Sequence, residues 1–159
     1  MEETAILEAL KKRFPQGVED AGVRLGDATV VIRRAALVEI MQFLRDKPYE
    51  FAMLLDLTCV DYPEKAERFE MVYHLFSLAA NKRLRIKLSV PESESVVDSL
   101  VRFWKNADWL EREVFDMFGV RFTGHPDLRR LFMNAEFEGH PLRKDYPLRK
   151  RQPMIPLRK

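Results

Sequence analysis

The chain has 159 residues, 47% hydrophobic and 33% charged, with 27 Lys+Arg against 25 Asp+Glu and a net charge of +2. One domain of this length buries roughly 70% of its unfolded surface, which is enough to fold without disulfides or a structural metal. The lone cysteine, Cys59, excludes an internal disulfide, a CxxC motif and an iron–sulfur cluster held by four thiolates of this chain. The six glycines stand at neither GxGxxG nor GxxxxGK spacing, so no nucleotide-cradling loop is expected. No apolar run reaches the length of a membrane span, and Met1-Glu2-Glu3-Thr4 lacks the basic and apolar regions of a signal peptide. Together these predict a soluble, cytosolic-side, cofactor-free single domain.

The first predicted element is a helix capped by Thr4, with Ile6, Leu7, Leu10 and Phe14 at helical spacing and a stop at Pro15 and Gly17. Two short β-prone runs follow, Gly22–Leu25 and Ala28–Arg33, joined at Gly26-Asp27. A second helix is predicted over Ala35–Arg45, burying Leu37, Val38, Met41 and Leu44. Phe51–Val60 reads as a buried strand that ends at Asp61-Tyr62-Pro63. Phe69–Leu78 and Leu84–Val90 flank Asn81-Lys82 as a hairpin, and Leu84, Ile86, Leu88 and Val90 alternate with polar residues. Beyond Pro91, the spacing of Val96, Val97, Leu100, Val101 and Trp104 predicts a helix. A further short helix over Trp109–Phe118 has Asp108 and Glu111 at capping-box-like spacing and Gly119 as its stop. The fold class is therefore α+β, with a mainly antiparallel sheet packed against helices.

Charge divides the chain in two. Residues 1–120 hold 17 Lys+Arg against 21 Asp+Glu, whereas residues 121–159 hold 10 against 4. Pro126, Pro141, Pro147, Pro153 and Pro156 all lie in the second part, too many for a helix. The expected organisation is a body over 1–120 and an extended basic arm over 121–159. Arg129-Arg130, Arg143-Lys144 and Arg149-Lys150-Arg151 leave nucleic acid open as a ligand, with RNA the foremost form. Aromatic interleaving is thin and acidic residues interrupt the basic runs, which favours docking on a protein with arginines paired to its carboxylates.

Glu111, Glu113 and Asp116 share one short helix, and Glu113 and Asp116 are close enough to act as an acid/base pair or a hard-metal site. No nucleophile, phosphate loop or histidine accompanies them in sequence, so the favoured reading has these carboxylates holding arginines, Arg112 four residues from Asp116 among them. His125 and His140 recur as Gly-His-Pro, which fits chain-reversal corners better than a metal site. His74 and Cys59 lie within predicted strands and read as packed residues.

Two runs are far more specific than any of these features. The first is Glu111-Arg112-Glu113-Val114-Phe115-Asp116-Met117-Phe118-Gly119-Val120, continuing through Gly124-His125-Pro126-Asp127-Leu128-Arg129-Arg130-Leu131. The second is Glu138-Gly139-His140-Pro141-Leu142-Arg143-Lys144-Asp145-Tyr146-Pro147-Leu148. Both closely resemble the NADH-quinone oxidoreductase C-subunit family, the thirty-kilodalton subunit of respiratory complex I. The resemblance implies a non-catalytic subunit with no cofactor of its own, in a translocase whose flavin, iron–sulfur clusters and quinone sit in other subunits. It implies a peripheral position on the cytoplasmic face of the cell membrane, against the large quinone-pocket subunit and the iron–sulfur subunits, with no nucleic acid. Relatives also occur in ferredoxin-driven quinone reductases and membrane-bound hydrogenases, and the electron donor stays open at this point. The expected partner interface is His125, Arg129, Arg130, His140, Arg143, Lys144, Asp145 and Tyr146. Glu111, Arg112, Glu113, Asp116 and Gly119 are expected to fix the root of the arm, and truncation before Gly124 to leave a folded body that no longer binds.

Overall fold

A computed structural model of the chain describes residues 3–149 and residue 152; the basic and proline positions expected at 150, 151 and 153–159 lie outside the described residues. Helix α1 (Glu3–Arg13) leads into a β-hairpin of β1 (Val18–Arg24) and β2 (Asp27–Ile32). A short 3-10 turn and α2 (Leu37–Arg45) follow, then β3 (Met53–Asp61), β4 (Phe69–Ser77) and β5 (Lys82–Val90). These five strands form one sheet in the order β1-β2-β5-β4-β3. Three of its pairings are antiparallel; β2 and β5 run parallel, with Val30 opposite Ile86, so the sheet is mixed.

Alternation decides which side of the sheet is covered. Phe69, Met71, Tyr73 and Leu75 of β4 and Leu84, Ile86, Leu88 and Val90 of β5 are all buried, with Leu10 of α1 and Leu37, Ile40, Met41 and Leu44 of α2 in the same core. The intervening Glu70, His74, Arg85 and Lys87 are only half-buried, and Lys87 donates to Glu70 at 2.7 Å across the hairpin. The positive φ values of Leu25 and Gly26 place the first hairpin turn one residue before the expected Gly26-Asp27 corner.

The helix expected after Pro91 does not form. Glu92–Glu94 make a 3-10 turn, Val96–Asp98 form strand β6, and residues 99–104 run through turns. Val96 and Val97 are β-branched and meet a parallel partner, β7 (Arg121–Thr123), with Val97 opposite Phe122. Leu100 and Trp104 are still buried, because a tight turn closed by the Trp104 amide on the Leu100 carbonyl gives them helical spacing locally. Two expected caps also fall elsewhere: Thr4 lies inside α1, and helix α3 (Ala107–Phe118) begins after Asn106, which makes no side-chain cap. Among the described residues no helix is long and apolar enough to cross a membrane.

Gly17, in the turn between α1 and β1, packs closely against Ala36 of the 3-10 turn before α2. A Cβ added there would stand 2.7 Å from the Cβ of Ala36, closer than two such atoms can pack. Gly17→Ala should therefore lower stability by about 1–3 kcal/mol. Adding Ala36→Gly should recover most of the loss, and thermal denaturation of the two variants measures both effects.

Candidate docking segment

Helix α3 lies between the core and the segment that follows β7, and its sequence gives each side different chemistry. Ala107, Val114 and Phe118 are buried in the core, whereas Arg112 and Asp116 meet residues 129–133. The Asp116 carboxylate is fully buried and accepts four donors. Arg130 Nη1 binds Oδ1 at 2.8 Å, and the amides of Leu131, Phe132 and Met133 converge on Oδ2 at 3.0, 2.7 and 2.9 Å. Burial alone would raise this carboxyl's pKa, but the Met133 amide, the Arg130 guanidinium and the other two amides outweigh it and hold the pKa below the ordinary 3.8. The expected Arg112–Asp116 pair is replaced by this arrangement. Arg112 instead stacks on Trp109 and donates to the carbonyls of Arg129 and Arg130 at 3.2 and 3.3 Å.

A helix leaves its last four carbonyls without partners inside the helix. In α3 every one is satisfied, three of them by residues 140–143. The Gly119 amide binds Phe115 O, His140 Nδ1 donates to Asp116 O at 3.0 Å, the Leu142 amide to Met117 O at 3.1 Å, and Arg143 Nε to Phe118 O at 2.6 Å. Arg143 also adds positive charge at the negative end of the helix dipole. Gly119 has φ +80, and a Cβ there would lie 2.5 Å from His140 Nε2 and 2.7 Å from Arg143 Nη2. Glycine is thus required twice, for the left-handed cap and for the approach of this segment.

A second clasp forms where β3 ends and β4 begins. Asp61 and Arg68 make a buried two-pronged pair, Nε to Oδ1 at 2.7 Å and Nη2 to Oδ2 at 2.9 Å. Arg68 Nη1 reaches Asp145 at 2.9 Å and Glu92 at 3.0 Å, and the Lys144 amide donates to Asp61 at 2.7 Å. The Arg68 hydrogen bonds hold the carboxyls of Asp61 and Asp145 below the usual aspartate range. Sequence reasoning missed Arg68 and Glu92, because no spacing rule links them to Asp145 across more than fifty residues.

The remaining candidates divide. His125 is packed at the first turn of α3, its Nδ1 accepting the Asp127 amide while Nε2 donates to Asp108 O at 3.2 Å. His125 and His140 therefore serve opposite ends of one helix. Tyr146 stacks on Phe137 with ring centroids 5.9 Å apart. Glu113 is exposed while Asp116 is buried and saturated, so they do not form an acid/base pair. Arg129 is largely exposed and pairs with Asp127 at 2.8 Å. Several large apolar side chains of α3 and this segment are left open to solvent: Trp109, Phe132, Leu142 and Leu148.

A family model described as the 30 Kd subunit of respiratory-chain NADH dehydrogenase matches residues 30–152. The chain belongs to this family. It is 50% identical over 133 residues to the NADH-quinone oxidoreductase C-subunit of Caulobacter vibrioides, covering 83% of this chain and 67% of that one. It is 46% identical to the corresponding C-subunit of Trichlorobacter lovleyi over 89% of this chain and 88% of that relative. The solved structure of a trypsin-resistant fragment (1–134) of Nqo5 superposes with a TM-score of 0.68 at 32% identity, over 80% of this chain and all of the fragment. A chain of an archaeal membrane-bound sulfane sulfur reductase shares the fold, with a TM-score of 0.77 at 22% identity over 91% of this chain and 85% of that one.

Because the folded-state pKa of Asp116 is depressed, its contribution to stability is complete above the unfolded value of 3.8 and is lost as pH falls through the folded value. Asp116→Asn should cost about 2–4 kcal/mol at neutral pH. It should also flatten the acid limb of the stability profile, measured by urea unfolding from about pH 2 to pH 5.

Proposed function

We propose that this chain is a non-catalytic subunit in the peripheral arm of a proton-translocating NADH:quinone oxidoreductase. The complex's flavin, iron–sulfur clusters and quinone belong to other subunits. The chain sits on the cytoplasmic face of the membrane and is held there through its partners. Its docking face is the segment after β7, laid along α3, and its main contact is the large subunit that forms the quinone pocket, beside the iron–sulfur subunits.

The observation that carries this reading is the use made of the basic residues. Arg68, Arg112, Arg130 and Arg143 are engaged with carboxylates and carbonyls of the chain itself, so they are not displayed as a phosphate-tracking stripe. Outward, the segment and α3 present the large apolar side chains Trp109, Phe132, Leu142 and Leu148, set among exposed charges of both signs such as Arg129, Glu136, Glu138 and Lys144. Aromatic and aliphatic anchors bordered by charge suit a protein partner. Membership of the respiratory-chain family, together with relatives named as NADH-quinone oxidoreductase subunits, supports NADH as the donor to the complex.

Truncation before Gly124 makes a poor test of this face, because it removes the four donors to Asp116 and the Lys144 amide from Asp61 and so exposes two carboxylates built for burial. Substitution of exposed side chains leaves both clasps in place. Phe132→Gln combined with Leu142→Gln, which adds no charge beside Asp116 or at the end of α3, should reduce recovery of the partner subunits from detergent-solubilised membranes by at least about tenfold. The thermal midpoint of the isolated chain should not move. Undiminished recovery of a quinone-pocket subunit and cluster-bearing partners would contradict this choice of face, and loss of binding on modest addition of salt would favour a phosphate ligand.

A further inference from the structure

The core contains a carboxyl group that neither clasp uses. Glu111 lies on the sheet-facing side of α3 with no exposed surface. Its Oε1 accepts the Leu100 amide at 2.7 Å, and among the described residues Oε2 has no hydrogen-bond partner. The Tyr73 hydroxyl, on the interior strand β4, is also buried without a hydrogen-bond partner among the described residues. Among the described residues no arginine or lysine forms an ion pair with Glu111. The groups that face it are the Ser99 hydroxyl and Leu100 amide from the turn after β6, the Tyr73 hydroxyl from β4, and the Asp108 carboxylate from α3 itself. Asp98 of β6 and Cys59 of β3 also act on the Tyr73 hydroxyl and likewise bring no positive charge.

A bare anionic oxygen in such a place is costly, and a neutral acid is not. Further along the same helix, Arg112 and Asp116 hold residues 129–133, and the helix's last carbonyls hold residues 140–143. Any outward movement of α3 that brings water to Glu111 must therefore also disturb the seat of the docking segment. We propose that Glu111 is a proton-gated catch: as a neutral acid it seats α3 on the sheet, and on losing its proton to solvent it loosens α3 together with the segment clasped to it.

Burial is the largest influence on this carboxyl and pushes its pKa up to about 7, against the Leu100 amide and Ser99 hydroxyl, which favour the charge. The charge on Glu111 in turn adds to the burial that raises the Tyr73 hydroxyl pKa, so Tyr73 stays neutral throughout. A carboxyl with a raised folded-state pKa favours the closed form at low pH, and that preference fades as pH rises from 4.5 through about 7. This is opposite in sign to the aspartates of the two clasps. The segment is then held best in mildly acidic solution and opens towards both extremes.

Trypsin cleavage after Arg129, Arg130 and Arg143 in the intact folded chain reports the opening, and Glu111→Gln serves as the permanently neutral form. The cleavage rate of the natural chain relative to Glu111→Gln should rise roughly tenfold between about pH 6 and pH 8.5, with each pH supplying its own control for the protease. A ratio that stays constant overturns the proposal. Should Glu111→Gln not fold, the 13C carboxyl shift of Glu111 in the natural chain decides. A midpoint near 7 upholds a neutral buried acid, and a midpoint near 4.5 removes it. Opening confined to the Leu100 turn, with cleavage at Arg129 and Arg143 unchanged, would overturn the link between catch and segment.

Discussion

A carboxylate without exposed surface needs a donor for its charge from every direction, and Asp116 draws all of its donors from four consecutive residues, Arg130 to Met133. Three successive amides can aim at one oxygen only if the chain curls around it, so this single interaction dictates the path of the segment after β7. The rest of the arrangement follows from that path. Arg112 meets the carbonyls of Arg129 and Arg130, and the chain then returns along the end of α3, where residues 140–143 complete the helix's unpaired carbonyls. Breaking one partner of such a buried set costs more than the set itself contributes, which makes it a device for specifying geometry more than for adding stability.

One helix thus carries two buried carboxyls with opposite electrostatic fates. Asp116 has four donors and stays charged; five residues earlier, Glu111 has one amide and a hydroxyl nearby and is pushed towards neutrality. The difference lies in which side of α3 each occupies. The core side offers apolar side chains and an unpaired Tyr73 hydroxyl, whereas the other side offers backbone amides and an arginine. Proximity of carboxylates along a sequence therefore says nothing about shared chemistry here, and the exposed Glu113 between them belongs to neither group.

The parts of the fold legible in the sequence were those written as periodicity. The alternation of Leu84, Ile86, Leu88 and Val90 located β5, and the helical spacing ending at Gly119 located α3. The same rule failed over Val96–Trp104, where buried residues of a short strand and a tight turn happen to fall at helical spacing. The parallel pairing of β2 with β5 and the Asp61–Arg68–Asp145 clasp were not legible, since both are contacts between distant residues whose sequence positions carry no mutual signal. At the candidate site the two long motifs contain Asp116, Arg130, His140 and Arg143, which the fold gathers on α3. Chemistry at the level of composition set Asp116 against Arg112 and left the basic groups facing outward, whereas Arg112, Arg130 and Arg143 turn inward to groups of the chain itself and Arg129 and Lys144 stay exposed.

The central claim is that the docking segment is already seated on α3 before any partner arrives. Amide hydrogen exchange of the isolated chain at about pH 6 tests it most directly, comparing Leu131, Phe132, Met133 and Lys144 with the interior strand β4. Strong protection of these four amides in the free chain, approaching that of β4, is the predicted result. Exchange at the rates of an unfolded peptide, with protection gained only in the assembled complex, would contradict it and would make Asp116 and Asp61 sites that wait for a partner to close them.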